Sequence, residues 1–177
     1  MISVGPIKMP NFASGKDHNR RINPLYSKEE RERRDKTPWT LIQGVLAPTQ
    51  FVVFLISSVL VVNYFINGSG QEAAILSVVV KTLILYLIMI TGSIWEKIVF
   101  GKFLFAKPFF WEDVFSILVL FLHTAYIVSL IIPGITVDQQ LYIAIFAYLA
   151  YLINAAQFLF KFRQASCQAK FYNEEAL

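Results

Sequence analysis

Four long runs of this chain are almost free of charge, and that alone excludes most folds. They extend from Gln43 to Ile66, Ala73 to Trp95, Val114 to about Pro133 and Leu141 to Phe160; Lys81 is their one Lys, Arg, Asp or Glu. Each is close to the ~20 apolar residues that cross a bilayer as a helix. The runs are continuous rather than alternating, which disfavours a β-barrel. Over 177 residues, 56% are hydrophobic and 16% charged, more apolar than an ordinary soluble domain. The expected fold is all-α: a polytopic membrane protein built as a four-transmembrane-helix bundle.

The charges between the runs set an orientation. Nine lysines and arginines, from Lys8 to Lys36, precede the first run; Lys97, Lys102 and Lys107 lie between the second and third; Lys161, Arg163 and Lys170 follow the fourth. The connections Asn67 to Glu72 and Gly134 to Gln140 hold none. Lysine and arginine concentrate on cytoplasmic segments, so both termini and the middle link are expected in the cytoplasm, in a multi-pass cytoplasmic (inner) membrane protein. The net charge of +4 reads as this topology signal and not as a nucleic-acid surface.

Residues 1–26 are polar and broken by Gly5, Pro6, Pro10, Gly15 and Pro24, and are expected to be a disordered cytoplasmic tail. Met1 to Pro10 lacks the charged-then-apolar order of a cleavable signal peptide, and none is expected. Ser27 and Glu30 have capping-box spacing, so a short charged surface helix should begin there and stop before Pro38. Trp39 stands where an interfacial anchor belongs. Residues 27–165 form the expected membrane domain and 166–177 a second cytoplasmic tail, with Cys167 given no role.

Polar groups at membrane depth need a reason. Lys81, Leu85, Ile88 or Met89, Gly92 and Glu96 share one helical face that should point into the bundle, although Lys81 could instead snorkel to an interface. Glu112, Ser116, Val119, His123 and Tyr126 share another. His123 falls near mid-bilayer, roughly 16 Å from its helix start, and reads either as a hydrogen-bonded core residue or as a proton-transfer group or metal ligand. A haem held by two histidines is disfavoured, because the other histidine, His18, lies in the tail. Tyr148, Tyr151, Asn154 and Gln157 occupy the cytoplasmic half of the fourth run, where amides commonly join helices. Spacing alone gives a polar-lined bundle with carboxylates at its cytoplasmic mouth; it does not give a reaction.

A resemblance supplies one. Thr37-Pro38-Trp39-Thr40-Leu41-Ile42-Gln43-Gly44-Val45-Leu46-Ala47-Pro48 resembles the opening of the vinyl bacteriochlorophyllide hydratases of bacteriochlorophyll biosynthesis. So do Lys81-Thr82-Leu83 with Tyr86, Thr91-Gly92-Ser93-Ile94-Trp95-Glu96-Lys97, Phe109-Phe110-Trp111-Glu112-Asp113, His123-Thr124-Ala125-Tyr126, and Asn154-Ala155 with Gln157-Phe158. The similarity runs from about Leu25 to Arg163. The tail before it is longer than in the family, and a related branch acts on precursors of the antenna chlorophylls of green bacteria.

The resemblance implies addition of water across the C3 vinyl group of a chlorophyllide-type macrocycle, giving a 1-hydroxyethyl group. Such a hydro-lyase protonates the terminal vinyl carbon, lets the ring delocalise the cation, and adds water while a base takes its proton. No cofactor is needed. Glu96, Glu112 and Asp113 are the carboxylates at membrane depth on the cytoplasmic side and are the candidate acids; His123 is a candidate base or axial ligand to the substrate magnesium. Lys81, Tyr86, Trp95, Lys97, Trp111, Tyr126, Asn154 and Gln157 are the expected substrate contacts, with Lys97, Lys102 and Lys107 facing the propionate. The expected partners are the tetrapyrrole, water and the lipid bilayer, with no nucleic acid; a homo-oligomer or contact with other pigment-biosynthesis enzymes stays open. Two non-hydratase readings remain: a pigment-binding or assembly protein of the photosynthetic membrane, and a small quinone- or lipid-binding subunit.

Overall fold

The computed structural model describes residues 25–175, with side chains to Ser166. Residues 1–24 of the tail read at 1–26 and the side chain of Cys167 lie outside it. Helix α1 is Lys28–Lys36, α2 Pro38–Asn67, α3 Gln71–Phe100, α4 Phe110–Ser129 and α5 Val137–Glu175, with a single 3-10 turn at Lys107–Phe109 before α4. The described residues contain no strand.

The local chemistry explains the boundaries. Ser27 caps α1 through Glu30 N–H (3.2 Å), and the Glu30 carboxylate accepts from Ser27 N–H (2.7 Å), so the capping box forms as its spacing predicts. Helix α1 ends at Thr37, and Pro38 opens α2, where a missing N–H costs nothing. Gly68 and Gly101 close α2 and α3 in the left-handed conformation, at φ 64° and 80°.

Four helices are long and apolar enough to cross a membrane. Each outlasts or is offset from the apolar run that announced it: α2 begins at Pro38 and takes in Trp39, α4 covers 110–129 and stops short of Pro133, and α5 continues to Glu175. Hydropathy marks only the stretch in hydrocarbon, whereas backbone hydrogen bonding carries a helix on through polar residues. For the same reason α5 passes without a break through the expected boundary at 165 and 166.

Helices α2 and α3 form one closely packed hairpin and α4 and α5 another; the two hairpins touch each other less extensively. Outward faces are apolar, with Val59, Ile66, Leu76, Phe121 and Phe160 exposed, as a lipid-facing surface requires. The core runs along the seam between hairpins, through Phe54, Val61, Val78, Leu85, Val119, Tyr126, Leu141 and Tyr148. Hydrogen bonds crossing the seam include Ser57 with Tyr148, Tyr64 with Asp138, Lys81 with His123, Tyr86 with Thr124, and Tyr126 with the Ile75 carbonyl.

A second cluster closes one end of the bundle, where α1, the link at 101–109 and the far half of α5 meet. Leu25, Tyr26, Val99 and Phe109 are buried there, with Trp95, Phe100 and Phe158 packed on them. The expected tail ended at residue 26, and its last two residues are in fact part of this packing. Tyr26 stacks on Phe100 at 5.7 Å, and burial pushes its phenol up to about 12, against the opposing pull of the Arg34 guanidinium over its ring.

Candidate functional site

The link end holds the three carboxylates. Glu96 lies in the last turns of α3, and Glu112 and Asp113 open α4. All three are buried, at 5%, 5% and 4% exposure. The carboxyl groups of Glu96 and Asp113 are neighbours at this end of the bundle, where two buried like charges would repel each other. Two successive amides of the link point at the pair: Phe105 N–H donates to Asp113 Oδ2 at 2.7 Å and Ala106 N–H to Glu96 Oε2 at 3.5 Å. Phe105 reaches that position with φ at 60°, a left-handed conformation that costs a non-glycine residue about 1–2 kcal/mol. Strain of this kind persists where the surroundings over-determine it.

Glu112 is handled differently. Its Oε1 lies 3.6 Å from Lys161 Nζ, which also donates to the Pro108 carbonyl. Asn154 donates to the Glu112 carbonyl at 2.9 Å and to Ser116 Oγ at 3.0 Å, so this amide ties α5 to the first turns of α4. Trp95 packs edge-on against Phe109 and Phe100 at the same end, and its indole N–H donates to Thr40 Oγ1 at 3.0 Å, joining α3 to α2.

A separate polar cell lies deeper in the seam. Lys81 is fully buried, so the snorkelling alternative is overturned: its ammonium is enclosed among the aromatic rings of the seam and does not reach the surface. Lys81 Nζ donates to His123 Nε2 at 3.0 Å and sits over the rings of Tyr151, Tyr148 and Phe54 at 4.0, 5.3 and 5.9 Å. His123 Nδ1 lies 2.8 Å from the Val119 carbonyl, which can only accept, so Nδ1 carries the hydrogen and Nε2 is the lone-pair atom. That lone pair is already engaged by Lys81. The ring of His123, itself fully buried, has no nitrogen left over to offer a magnesium ion.

The structure therefore divides the expected site residues. Glu96, Glu112, Asp113, Trp95, Asn154 and Gln157 gather near the link end; Lys81 and His123 form the deeper cell. Tyr126 is buried and bonded to the Ile75 carbonyl nearer the hairpin turns, and Tyr86 pairs with Thr124 at 2.9 Å on a half-buried flank. Lys97 and Trp111 face outward, Lys97 donating to the Gly101 carbonyl at 3.0 Å. The helical faces through Lys81 and Glu96, and from Glu112 to Tyr126, point inward as their spacing predicts.

One polar residue of the seam has no counterpart in the sequence reading. Gln50 is 2% exposed, on the same face of α2 as Phe54 and Ser57, and neither Oε1 nor Nε2 of its amide has a hydrogen-bond partner among the described residues. Gln157 Oε1 is likewise buried and unpaired. An unpaired buried amide costs about 1–3 kcal/mol. The only sequence signal was an amide in the interior of an uncharged run that also holds Gln43 and Asn63.

An apolar groove of about 400 Å³ between α2 and α3, lined by Trp39, Ile42, Val45 and Leu87 among others, opens sideways and contains none of the carboxylates.

The family profile of 2-vinyl bacteriochlorophyllide hydratase matches residues 26–164. A 2-vinyl bacteriochlorophyllide hydratase of Rhodobacter capsulatus is 58% identical over 145 residues, covering 82% of this chain and 84% of the relative. One of Cereibacter sphaeroides is 56% identical over 141 residues, covering 80% and 88%. No solved structure matches. With a family profile spanning both hairpins and relatives above half identity over most of their length, the chain belongs to the 2-vinyl bacteriochlorophyllide hydratase family.

Proposed function

We propose that this protein is a hydro-lyase that adds water across the C3 vinyl group of a chlorophyllide-type macrocycle, with the Glu96–Asp113 pair as its proton donor. The observation that carries this reading is the meeting of two buried carboxyls, Glu96 and Asp113, at the link end, each taking a hydrogen bond from one of two successive link amides. Helix dipoles decide which partner donates. Asp113 sits at the N-terminal, positive end of α4, which favours the anion; Glu96 sits at the C-terminal, negative end of α3, which favours the neutral acid.

The steps balance without oxidation or reduction. Glu96 gives its proton to the terminal vinyl carbon, and the π electrons form the new C–H bond. Positive charge develops on the carbon attached to the ring, and the macrocycle spreads it. Two neighbouring carboxylates now face that cation and stabilise it. The amides of Phe105 and Ala106 are already aimed at the pair, so they stabilise its extra charge without reorganising. Water attacks the cationic carbon and its proton returns to the pair, which regenerates the acid.

The substrate is flat and apolar with one free carboxylate. Lys97, Lys102 and Lys107 at the link end suit the carboxylate. In this reading the link and both termini face the cytoplasm in the inner membrane.

The test is to incubate purified protein with a vinyl chlorophyllide and follow the pigment by absorbance and mass. The expected product is heavier by one water. Glu96→Gln should lower turnover by about 10²-fold or more, the usual contribution of a general acid. Wild-type turnover by both Glu96→Gln and Asp113→Asn, in equally folded protein, refutes the carboxylate mechanism; pigment binding without gain of water refutes the hydratase reading.

A further inference from the structure

The proposed acid stands in a crowded place. Glu96, Glu112 and Asp113 bring three buried carboxyls to one end of the bundle. When Glu96 gives up its proton, negative charge is added beside Glu112, and like charges in a desolvated site oppose that step. The link that aims two amides at the acid is also costly to hold. Its regular structure is one 3-10 turn, at Lys107–Phe109, and Phe105 keeps a left-handed backbone at φ 60°. Both demands call for a partner from outside the link.

Lys161 of α5 reaches both. Its Nζ lies 3.6 Å from Glu112 Oε1, and it donates to the Pro108 carbonyl, 53 positions away in the chain. The side chain is 27% exposed and that of Glu112 7%, so water screens the ion pair only in part. We propose that Lys161 is a positioning residue of the proton-donating site, cancelling the charge of Glu112 and pinning the link so that the Phe105 and Ala106 amides stay aimed at Asp113 and Glu96. This rests on the hydratase reading for the reaction that the site serves.

The place of the ammonium is not explained by helix electrostatics. It stands at the N-terminal, positive end of α4, where the dipole repels a cation, so its attachment there comes from Glu112 and the Pro108 carbonyl. Nor is the contact isolated. Asn154, Phe158 and Lys161 follow one another on one face of α5. Asn154 donates to the Glu112 carbonyl, Phe158 stacks on Phe109 at 6.2 Å, and the Lys161 ammonium lies 6.0 Å from the Phe109 ring centroid. Successive turns of α5 therefore grip the link and the start of α4. Phe109 N–H donates to the Ala106 carbonyl at 2.9 Å. A Pro108 carbonyl held from α5 thus steadies a turn that begins at Ala106, whose own N–H points at Glu96.

The experiment reads kinetics on a vinyl chlorophyllide and, with no pigment present, hydrogen exchange of the link amides by mass spectrometry of peptides covering 101–109. Lys161→Met keeps the stem and removes the charge and the donor. Its kcat should fall by about tenfold, less than the 10²-fold of a group that meets the charge directly, with KM within about twofold. Its link amides should exchange faster than those of wild type. Lys161→Arg restores a cation with donors and should return both readouts toward wild type. Adding Glu112→Gln to Lys161→Met removes the charge that Lys161 cancels; part of the lost kcat should return while exchange stays fast. Where Lys161→Met does not fold, Lys161→Gln, neutral but still a donor, takes its place. Wild-type kcat and exchange in the neutral variant overturn the assignment. So does a loss that Lys161→Arg repeats in full, which is the result expected of stem packing alone. No recovery in the double variant overturns the cancellation of charge. A wild type that adds no water overturns the hydratase reading instead, and the exchange comparison then decides by itself whether Lys161 holds the link.

Discussion

Lys81 Nζ and His123 Nε2 meet at 3.0 Å across the seam between the two hairpins, each fully buried. The bond joins α3 to α4 where no water competes for either group. Removing one partner strands the other, whereas removing both with apolar groups of similar size removes the demand as well. His123→Leu or Lys81→Met alone should therefore destabilise the bundle by about 1–3 kcal/mol. The double substitution should recover most of that loss, read as thermal midpoints in a double-mutant cycle in detergent. Additive losses would show that the two residues do not depend on each other. Turnover measured on the recovered double variant then tells whether the pair also serves the reaction.

Tyr26 gives the link end a dependence on alkaline pH. Its phenol is raised from 10.0 to about 12 by burial in the cluster with Phe100 and Phe109. A group whose folded value lies above its unfolded value contributes stability that is complete below the unfolded value and lost as pH rises through the folded one. The Tyr26 contribution should hold below pH 10 and be lost between 10 and about 12. The difference in thermal midpoint between wild type and Tyr26→Phe should change across that window and be flat below it. Deleting residues 1–24 should leave the cluster and turnover intact, while deleting 1–26 should loosen it; equal stability of the two truncations would contradict the packing of Leu25 and Tyr26.

Three parts of the chain gather at one end of the bundle: Thr40 at the start of α2 meets Trp95 near the end of α3, and Phe158 and Lys161 of α5 meet Phe109 and Pro108 of the link. The lysines and arginines concentrate in the same parts of the sequence. Reporter fusions after Lys102 and Leu177 should therefore read cytoplasmic, and fusions after Gly68 and Gly134 should read from the opposite side. A reporter after Leu177 on the far side would break the pairing of helices into two complete hairpins.

The four membrane helices were legible because uncharged runs near bilayer length have few other uses, and the Ser27 capping box because it is a local chemical pattern. Face assignments for Lys81, Glu96, Glu112 and His123 followed from helical period. Partner assignments did not. Lys81 meets His123, forty-two positions away, because the hairpins cross at that level, which no local spacing encodes. Gln50 was illegible for the same reason: nothing local separates it from Gln43 and Asn63 in the same apolar run, and only the packed seam shows that nothing reaches it. The link at 101–109 shows its lysines in the sequence, yet it reaches Glu96 and Asp113 through the backbone amides of Phe105 and Ala106, which no side-chain pattern announces.

Phe105 is where that last feature can be tested. Its backbone is held at φ 60°, and its N–H donates to Asp113 Oδ2 at 2.7 Å. The side chain is largely exposed and touches Phe110, so what the carboxylate pair uses is the backbone. Glycine adopts this conformation without strain and keeps the N–H. Proline forbids the conformation and has no N–H to give. Phe105→Gly should therefore keep turnover near wild type, with the relief of about 1–2 kcal/mol of strain partly offset by the lost ring contact and the freer unfolded chain. Phe105→Pro should lose an oriented donor to the charge that builds on the pair, a loss of about 10²-fold in turnover if the amide acts as electrostatic stabiliser. Pigment affinity should change little in either variant, because neither removes a group that faces the ring. Equal turnover in Phe105→Gly and Phe105→Pro, in protein of equal thermal midpoint, would show that the link amides only shape the loop and that the pair works without them.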